Sequence, residues 1–319
     1  MKLSIIIPCF NEQDRLSRTI DQIRNSDLDD TEVILVDDGS TDGTSAIIQS
    51  AVELGVLFKA VFLPVNKGKG AAIRSGIAHS IGDSIVFMDA DLATDLSGLD
   101  EMVNRLAEND VVIGSRAVAG SELLDENTLR QLMGGLFNLL TRKLTGLPFR
   151  DTQCGFKGFR REIAILLFGA LTTERFAFDA ELLSIAHRSG LKIVEMPVIW
   201  TNVAGSRVRK VRDSLQMTKD MRRFAKSGSQ LTDSLAVICF EDSAKILVTE
   251  ILDSTSNAVV NTDVETGVVR IFLPNINYQT PSEIIKKLEH SWPNREQSGF
   301  SIRFADQDFV ISLLGALAR

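Results

Sequence analysis

The sequence lacks several features, and each absence removes a class of function. No apolar run in its 319 residues approaches the roughly 18 needed to cross a bilayer. The longest compact candidate, Ile163 to Leu171, has the length of a core helix, so any membrane contact is expected to be peripheral. Leu3 to Ile7 is too short for the apolar segment of a signal peptide, and Pro8 is expected to end it. Cysteine is scarce: Cys9, Cys154 and Cys239 lie far apart without metal-ligand spacing. An odd, sparse count argues for reduced thiols in the cytoplasm. His79, His187 and His290 are isolated, and none suggests a zinc site. Positive charge is also short, with a net charge of −7 and a pI near 5.2. Nucleic acid as a partner is therefore excluded on charge, since such binding normally leaves a basic footprint. There is no internal repeat and no low-complexity tract.

The chain that remains is 44% hydrophobic and 24% charged, as in a globular protein of one large domain or two. Its first half alternates short apolar runs with amphipathic stretches. Strands are expected at Leu3–Ile7, Glu32–Val36, Lys59–Leu63, Ser84–Met88 and Asp110–Gly114, with a later one at Lys192–Val198. Helices are expected near Glu12–Asn25, Asp42–Leu54, Gly70–Ser80, Leu96–Ala107, Asn127–Thr145, Arg160–Gly169, Asp179–Arg188 and Val211–Lys226. This α/β alternation implies a mostly parallel central sheet covered on both faces. Lys226 to Gln230 reads as a linker. Beyond it the texture changes to expected strands at Ser234–Phe240, Ala258–Asn261, Val268–Leu273 and Phe300–Phe304, with helices at Pro281–His290 and Asp306–Leu317. The expected division is a larger domain over 1–228 and a small C-terminal α+β module over 229–319.

Four loops carry the chemistry. Asp89-Ala90-Asp91 follows the apolar run Ser84 to Met88. Two carboxylates at i and i+2 after a buried strand can meet one hard cation, Mg²⁺ or Mn²⁺, at the sheet's carboxyl edge. By itself the triplet is equally a surface turn. In Pro8-Cys9-Phe10-Asn11-Glu12, Asn11 can cap the next helix or hold a nucleoside. In Asp37-Asp38-Gly39-Ser40-Thr41-Asp42 a carboxylate can accept from a ribose hydroxyl or a base N–H, while Asp42 can cap a helix. In Asn66-Lys67-Gly68-Lys69-Gly70 small residues would let backbone N–H groups reach an anion at a helix N-terminus. That last loop fits neither the dinucleotide fingerprint nor a P-loop.

In this order the four loops resemble the family 2 glycosyltransferases with the GT-A nucleotide-sugar-binding fold, over about residues 1–226. Gly114-Ser115-Arg116, Arg130, the segment Asp151 to Phe159 and the segment Arg175 to Leu182 narrow the resemblance to polyprenyl-phosphate glycosyltransferases. Asp89 to Thr94 and Phe178-Asp179 make it more similar to dolichyl-phosphate glucose synthases than to mannose synthases. The resemblance implies an inverting, metal-dependent transfer of a hexose, with UDP-glucose the first-choice donor and a polyprenyl or dolichyl phosphate the acceptor. By resemblance, Pro8, Asn11, Glu12, Asp38 and Lys67 hold the nucleoside end. Asp89 and Asp91 hold the metal and diphosphate. Arg116, Arg130 and Arg207 hold the acceptor phosphate, a role that suits the planar guanidinium fork. Arg207 departs from the pattern, since related enzymes usually place Lys there. Asp151 and Asp179 either orient arginines or sugar hydroxyls or are paired structural carboxylates.

Alternatives stand beside this reading: the same fold acting on a soluble acceptor, and a non-catalytic regulatory protein. A nucleotidyltransferase ranks below both, because no glycine-rich, arginine-containing loop follows the first strand. The basic stretch from Arg207 to Lys226, interleaved with Leu215, Met217, Met221 and Phe224, fits two placements equally. It lies on anionic lipid at the cytoplasmic face of a membrane, or it packs its apolar face on the domain. The C-terminal module matches nothing familiar, and protein contacts are the role left for it.

Overall fold

The structure is a computed structural model. It describes residues 2–53, 55, 57–124, 128–175, 177–202 and 217–224, and four strands beyond them. The chain divides into two compact units, Met1–Gly228 and Ser229–Arg319.

The first unit is built on a seven-stranded sheet. Its strands are β1 (Leu3–Cys9), β2 (Thr31–Asp37), β3 (Phe58–Phe62), β4 (Ser84–Phe87), β5 (Val111–Ser115), β7 (Lys157–Arg160) and β8 (Ile193–Pro197), in the order β3-β2-β1-β4-β7-β5-β8. All are parallel except β7, which runs antiparallel between β4 and β5. The parallel strands are continuous apolar runs because both faces are covered. Ile5 to Ile7, Val33 to Val36, Ile85 to Phe87 and Val111 to Ile113 are all buried. On one face Ile5, Ile7, Leu35 and Val86 join side chains of α1 (Leu16–Arg24), α2 (Thr44–Glu53) and α4 (Leu99–Leu106) in one core. The other face carries α3 (Lys69–Ala78), α6 (Arg161–Ala170) and α7 (Phe178–Arg188), where Phe87 and Phe159 meet Phe168 and Phe178. Each such side chain contributes roughly 1.5–3 kcal/mol of burial. Two short strands, β6 (Glu122–Leu124) and β9 (Ile199–Thr201), pair in parallel, and α5 (Thr128–Thr145) follows β6.

Three expectations change. Pro8 does not end β1, which runs on to Cys9 in register with Asp37. The helix expected from Glu12 starts at Leu16. The amides of Asn11, Glu12 and Gln13 donate to Ser40 Oγ, Thr44 Oγ1 and Asp42 Oδ2 in a loop that precedes it. Asn11, at φ 55°, therefore ties the first loop to the second and caps no helix. The helix expected at Leu96 opens with a 3₁₀ turn, Leu96–Gly98, capped by the Asp95 side chain, before α4 proper.

In the second unit β10 (Ala236–Phe240), β11 (Val259–Thr262), β12 (Val269–Leu273) and β13 (Ser301–Phe304) form an antiparallel sheet in the order β11-β12-β10-β13. The helices expected at Pro281–His290 and Asp306–Leu317 lie outside the described residues.

Candidate active site

The carboxyl ends of the parallel strands share one edge, and the strand order reverses between β1 and β4, where open α/β sheets open a crevice. Asp89 and Asp91 leave β4 at that point. Leu92 follows at φ 45°, and its N–H bonds back to the Asp89 carbonyl at 3.1 Å. A non-glycine residue held in the left-handed region is a strained feature that its surroundings must enforce. Here Thr19 Oγ1 grips the Ala90 carbonyl at 2.7 Å, and β9 closes on the segment through Thr201 N–H to Ala93 O at 2.7 Å. Space for the Asp89 carboxylate comes from Gly155, where a Cβ would stand 1.9 Å from Asp89 Oδ2.

The two carboxylates differ. The Asp89 side chain is 40% exposed and meets Lys69 Nζ at 2.5 Å. Asp91 accepts from Ala93 N–H at 3.2 Å and from Arg15 at 3.4 Å. Burial and then the neighbouring Asp89 charge push its carboxyl above the usual range. Among the described residues no group of three or more His, Cys, Asp or Glu side chains is placed to hold a metal. An ion between Asp89 and Asp91 would complete its shell with phosphate and water oxygens, as Mg²⁺ commonly does. The all-oxygen donor pair and the cradle at Gly155 fit such an ion.

The first three loops are laced together. Arg15 donates to both carboxylate oxygens of buried Glu12 through Nε and Nη2. Asn11 Oδ1 accepts Thr41 N–H at 2.8 Å. Asp37 is committed to Ser40 N–H and Ser45. Asp38 is buried, and its carboxylate takes Lys67 N–H and Gly68 N–H, both at 2.8 Å, and Asn66 Nδ2 at 3.0 Å. Burial raises its carboxyl pKa against those two amides. The third loop thus differs from expectation. Its amides at 67 and 68 point at Asp38, and those of Gly70 and Ala71 at the Glu174 carbonyl, at 2.8 and 3.3 Å. Four backbone donors expected for an anion are satisfied by protein. Gly68, at φ 110° and hard against Glu174 O, permits that approach. A cleft of about 390 Å³ opens beside the loop, bounded by Asn66, Lys67, Thr173, Arg175 and Arg223.

Arg116 follows β5. Asp151, 1% exposed, binds it through Arg116 N–H at 3.1 Å, Nε at 2.7 Å and Nη2 at 3.1 Å. Asn138 of α5 reaches the same carboxylate at 3.3 Å. The guanidinium also lies 5.6 Å from the Trp200 ring centre. Burial alone would raise the Asp151 pKa, but the Arg116 charge and hydrogen bonds outweigh it and hold the carboxyl at about 2. Asp179 has a different partner. Lys157 Nζ, fully buried, bonds Asp179 Oδ1 at 2.6 Å and the Cys154 carbonyl at 2.6 Å.

The edge therefore brings together Asn11, Glu12, Asp38, Lys67, Asp89, Asp91 and Arg116, each on a loop at a strand's carboxyl end, with Pro8 near the carboxyl end of β1 itself. Arg130 lies on α5, with its side chain outside the described residues, and Arg207 is outside them altogether. Reading by loop motif missed Arg15, Lys69, Asn138 and Lys157. Arg15 was visible as a cation one turn after Glu12, and Lys69 as a second lysine inside the third loop. Nothing in the sequence marked Lys157 as buried.

Residues 217–224 are helical. Met217, Met221 and Phe224 pack against Ala177, Ala180 and Leu144. Their apolar faces are covered by protein, so within these residues only the exposed cations Lys219, Arg222 and Arg223 remain for a charged surface. Among the described residues no helix is long and apolar enough to cross a membrane.

Comparison with known proteins follows the same lines. The model of the family described as Glycosyl transferase family 2 matches residues 4–168. The dolichyl-phosphate beta-glucosyltransferase of Dictyostelium discoideum is 35% identical over 238 residues, covering 69% of this chain and 73% of the relative. The human protein of the same name is 37% identical over 238 residues, covering 69% and 74%. Among solved structures, glucosyl-3-phosphoglycerate synthase from Mycobacterium tuberculosis, in complex with Mn²⁺, UDP and glucosyl-3-phosphoglycerate, superposes with a TM-score of 0.51. It is 22% identical and covers 71% of this chain and 79% of that one. At that identity the likeness establishes the fold.

Proposed function

Since the chain belongs to glycosyl transferase family 2 and is a glycosyltransferase, we propose that it moves glucose from UDP-glucose to a dolichyl-type polyprenyl phosphate, with inversion. The observation that carries this reading is one sheet edge holding a carboxylate couple after β4 and an anchored arginine after β5. The curated relatives named for dolichyl-phosphate glucosyl transfer support the acceptor class.

The acceptor is itself the nucleophile. A phosphate monoester has a second pKa near 6, so it is anionic at pH 7 and needs no enzyme base. The site has to relieve repulsion between two phosphate groups and stabilise the departing nucleoside diphosphate. A bound Mg²⁺ or Mn²⁺ would neutralise the leaving diphosphate as a Lewis acid, held by Asp89 and Asp91. Arg116, oriented by Asp151, presents the rest of its guanidinium to the acceptor phosphate, and Arg130 and Arg207 complete that subsite. Pro8, Asn11, Glu12, Asp38 and Lys67 take the nucleoside end. Of these, Asp38 acts through the third loop, whose amides it holds. Asp179 serves as the partner of Lys157 and sets the floor of the site. The exposed cations of 217–224 draw the enzyme to the anionic cytoplasmic face of a membrane, and residues 229–319 form a separate module for protein contacts.

The test is sugar transfer to a short polyprenyl phosphate with Mn²⁺ or Mg²⁺, screening UDP- and GDP-sugars, with Asp91→Asn as control. Lipid-extractable glucosyl product that vanishes in the variant is expected. Nucleoside diphosphate release without lipid product would replace the acceptor with a soluble one. No turnover with any donor would overturn the reading.

A further inference from the structure

Both carboxylates of the Asp89–Asp91 couple already hold a cation of the protein. Lys69 Nζ sits 2.5 Å from Asp89 Oδ1, and Arg15 Nη1 lies 3.4 Å from Asp91 Oδ2. These are unequal partners. Arg15 is shared, since Glu12 takes its Nε and Nη2. Lys69 has Asp89 as its one ion-pair partner among the described residues. Its stem is held in place: the side chain is 19% exposed, with Nζ 5.7 Å from the Phe87 ring centre and 6.0 Å from that of Phe178. The other carboxylate on this side, Asp179, is occupied by Lys157.

We infer that Lys69, with a smaller contribution from Arg15, is a built-in competitor for the divalent cation, making metal binding conditional on the nucleotide diphosphate. The inference rests on the metal reading of Asp89 and Asp91 above. A bare cation entering at Asp89 meets the Lys69 ammonium at close range and leaves that ammonium without a carboxylate. A cation arriving with a diphosphate brings the anion that Lys69 then needs. Repulsion in the first case and attraction in the second both act through a partly desolvated site, where charges interact more strongly than in water. The coupling is reciprocal, so the metal equally raises nucleotide affinity. Lys69 is a positioning and charge-balancing residue here.

The experiment is Mn²⁺ binding to the full-length protein, read by the electron spin resonance of free Mn²⁺, with and without UDP or GDP. Wild type should bind Mn²⁺ weakly alone and much more tightly with the cognate nucleotide. Lys69→Met should bind bare Mn²⁺ about tenfold more tightly, and the gain from nucleotide should shrink by a similar factor. Lys69→Arg, which keeps the charge, should behave like wild type. Arg15→Gln should tighten bare Mn²⁺ binding only a few-fold, because its ion pair is longer and shared. If wild type shows nucleotide-dependent Mn²⁺ binding and neither Lys69→Met nor Arg15→Gln alters bare Mn²⁺ affinity, this inference is overturned and the metal reading stands. If no form binds Mn²⁺ even with nucleotide, the metal reading fails and takes this inference with it.

Discussion

Two lysine–aspartate pairs lie beside one phenylalanine, and they have become opposite things. Lys157 and Lys69 place Nζ 5.4 and 5.7 Å from the Phe87 ring centre. Lys157 meets Asp179 at 2.6 Å with the lysine fully buried, and a second N–H of its ammonium goes to the Cys154 carbonyl. Lys69 meets Asp89 at 2.5 Å, but that aspartate is 40% exposed. The sealed pair has every charge answered by protein and no approach for a ligand. The open pair has an approach, a second carboxylate two residues on and a glycine that makes room. Chemical identity and distance are nearly the same, so access to solvent is what separates a structural pair from a candidate site.

The largest effect should come from breaking the sealed pair. Lys157→Met leaves the Asp179 charge buried and unpaired, and urea denaturation should show a loss of about 3–5 kcal/mol. Adding Asp179→Leu should recover much of it. A stability loss under about 1 kcal/mol for the single variant would mean that this pair is also open. Next, breaking the open couple should injure activity and spare the fold. Asp91→Asn should lower glucosyl transfer by about 10²–10³-fold with stability changed by under about 1 kcal/mol. It removes a charge that burial, and then repulsion from Asp89, already disfavour.

A third pair, Arg116 with buried Asp151, sharpens the contrast through pH. Asp151, lowered to about 2 by Arg116, binds its proton less tightly when folded than when unfolded. Its contribution is present above the unfolded value near 4 and is lost as pH falls through about 2. Near-complete burial leaves little screening, so the amount is about 2 kcal/mol at neutral pH. The acid limb of the unfolding curve should flatten between pH 4 and 2 in Asp151→Asn. The smallest expected effect is Gly155→Ala. Its methyl would collide with the Asp89 carboxylate, which can swing outward at little cost to the fold. Stability should hold within about 1 kcal/mol while transfer falls about tenfold, roughly 1.4 kcal/mol in the barrier. An unchanged rate would show that Asp89 works from its outward position.

Much of the first unit was legible from pattern. The runs at Leu3, Glu32, Ser84 and Asp110 are strands because a sheet covered on both faces needs uninterrupted apolar residues, and such runs stand out. The antiparallel β7 did not stand out. Lys-Gly-Phe-Arg has one apolar residue and no alternation, yet it occupies the middle of the sheet between β4 and β5. Its lysine is buried because Asp179, 22 residues away, answers it. Short β6 and β9 were hidden for a similar reason, since their partners are distant in sequence. The first helix was placed four residues early. Asn11 stands at φ 55°, outside the helical region, in a loop tied to side chains at Ser40, Asp42 and Thr44, and no local propensity reports such long-range ties.

The sequence by itself determined the order of the acidic loops, the α/β alternation that sends them to one edge, and the likeness that named the family. These depend on local runs and fixed spacings, which survive in one dimension. Only the tertiary structure decided which charges are occupied. It turned the third loop's amides onto Asp38 and Glu174, gave Asp151 to Arg116 and Asp179 to Lys157, and left Asp89 and Asp91 at the open rim with Lys69 and Arg15 against them. The physical reason is that a charged group's role depends on its partner and its distance from water, and both are set by residues far along the chain.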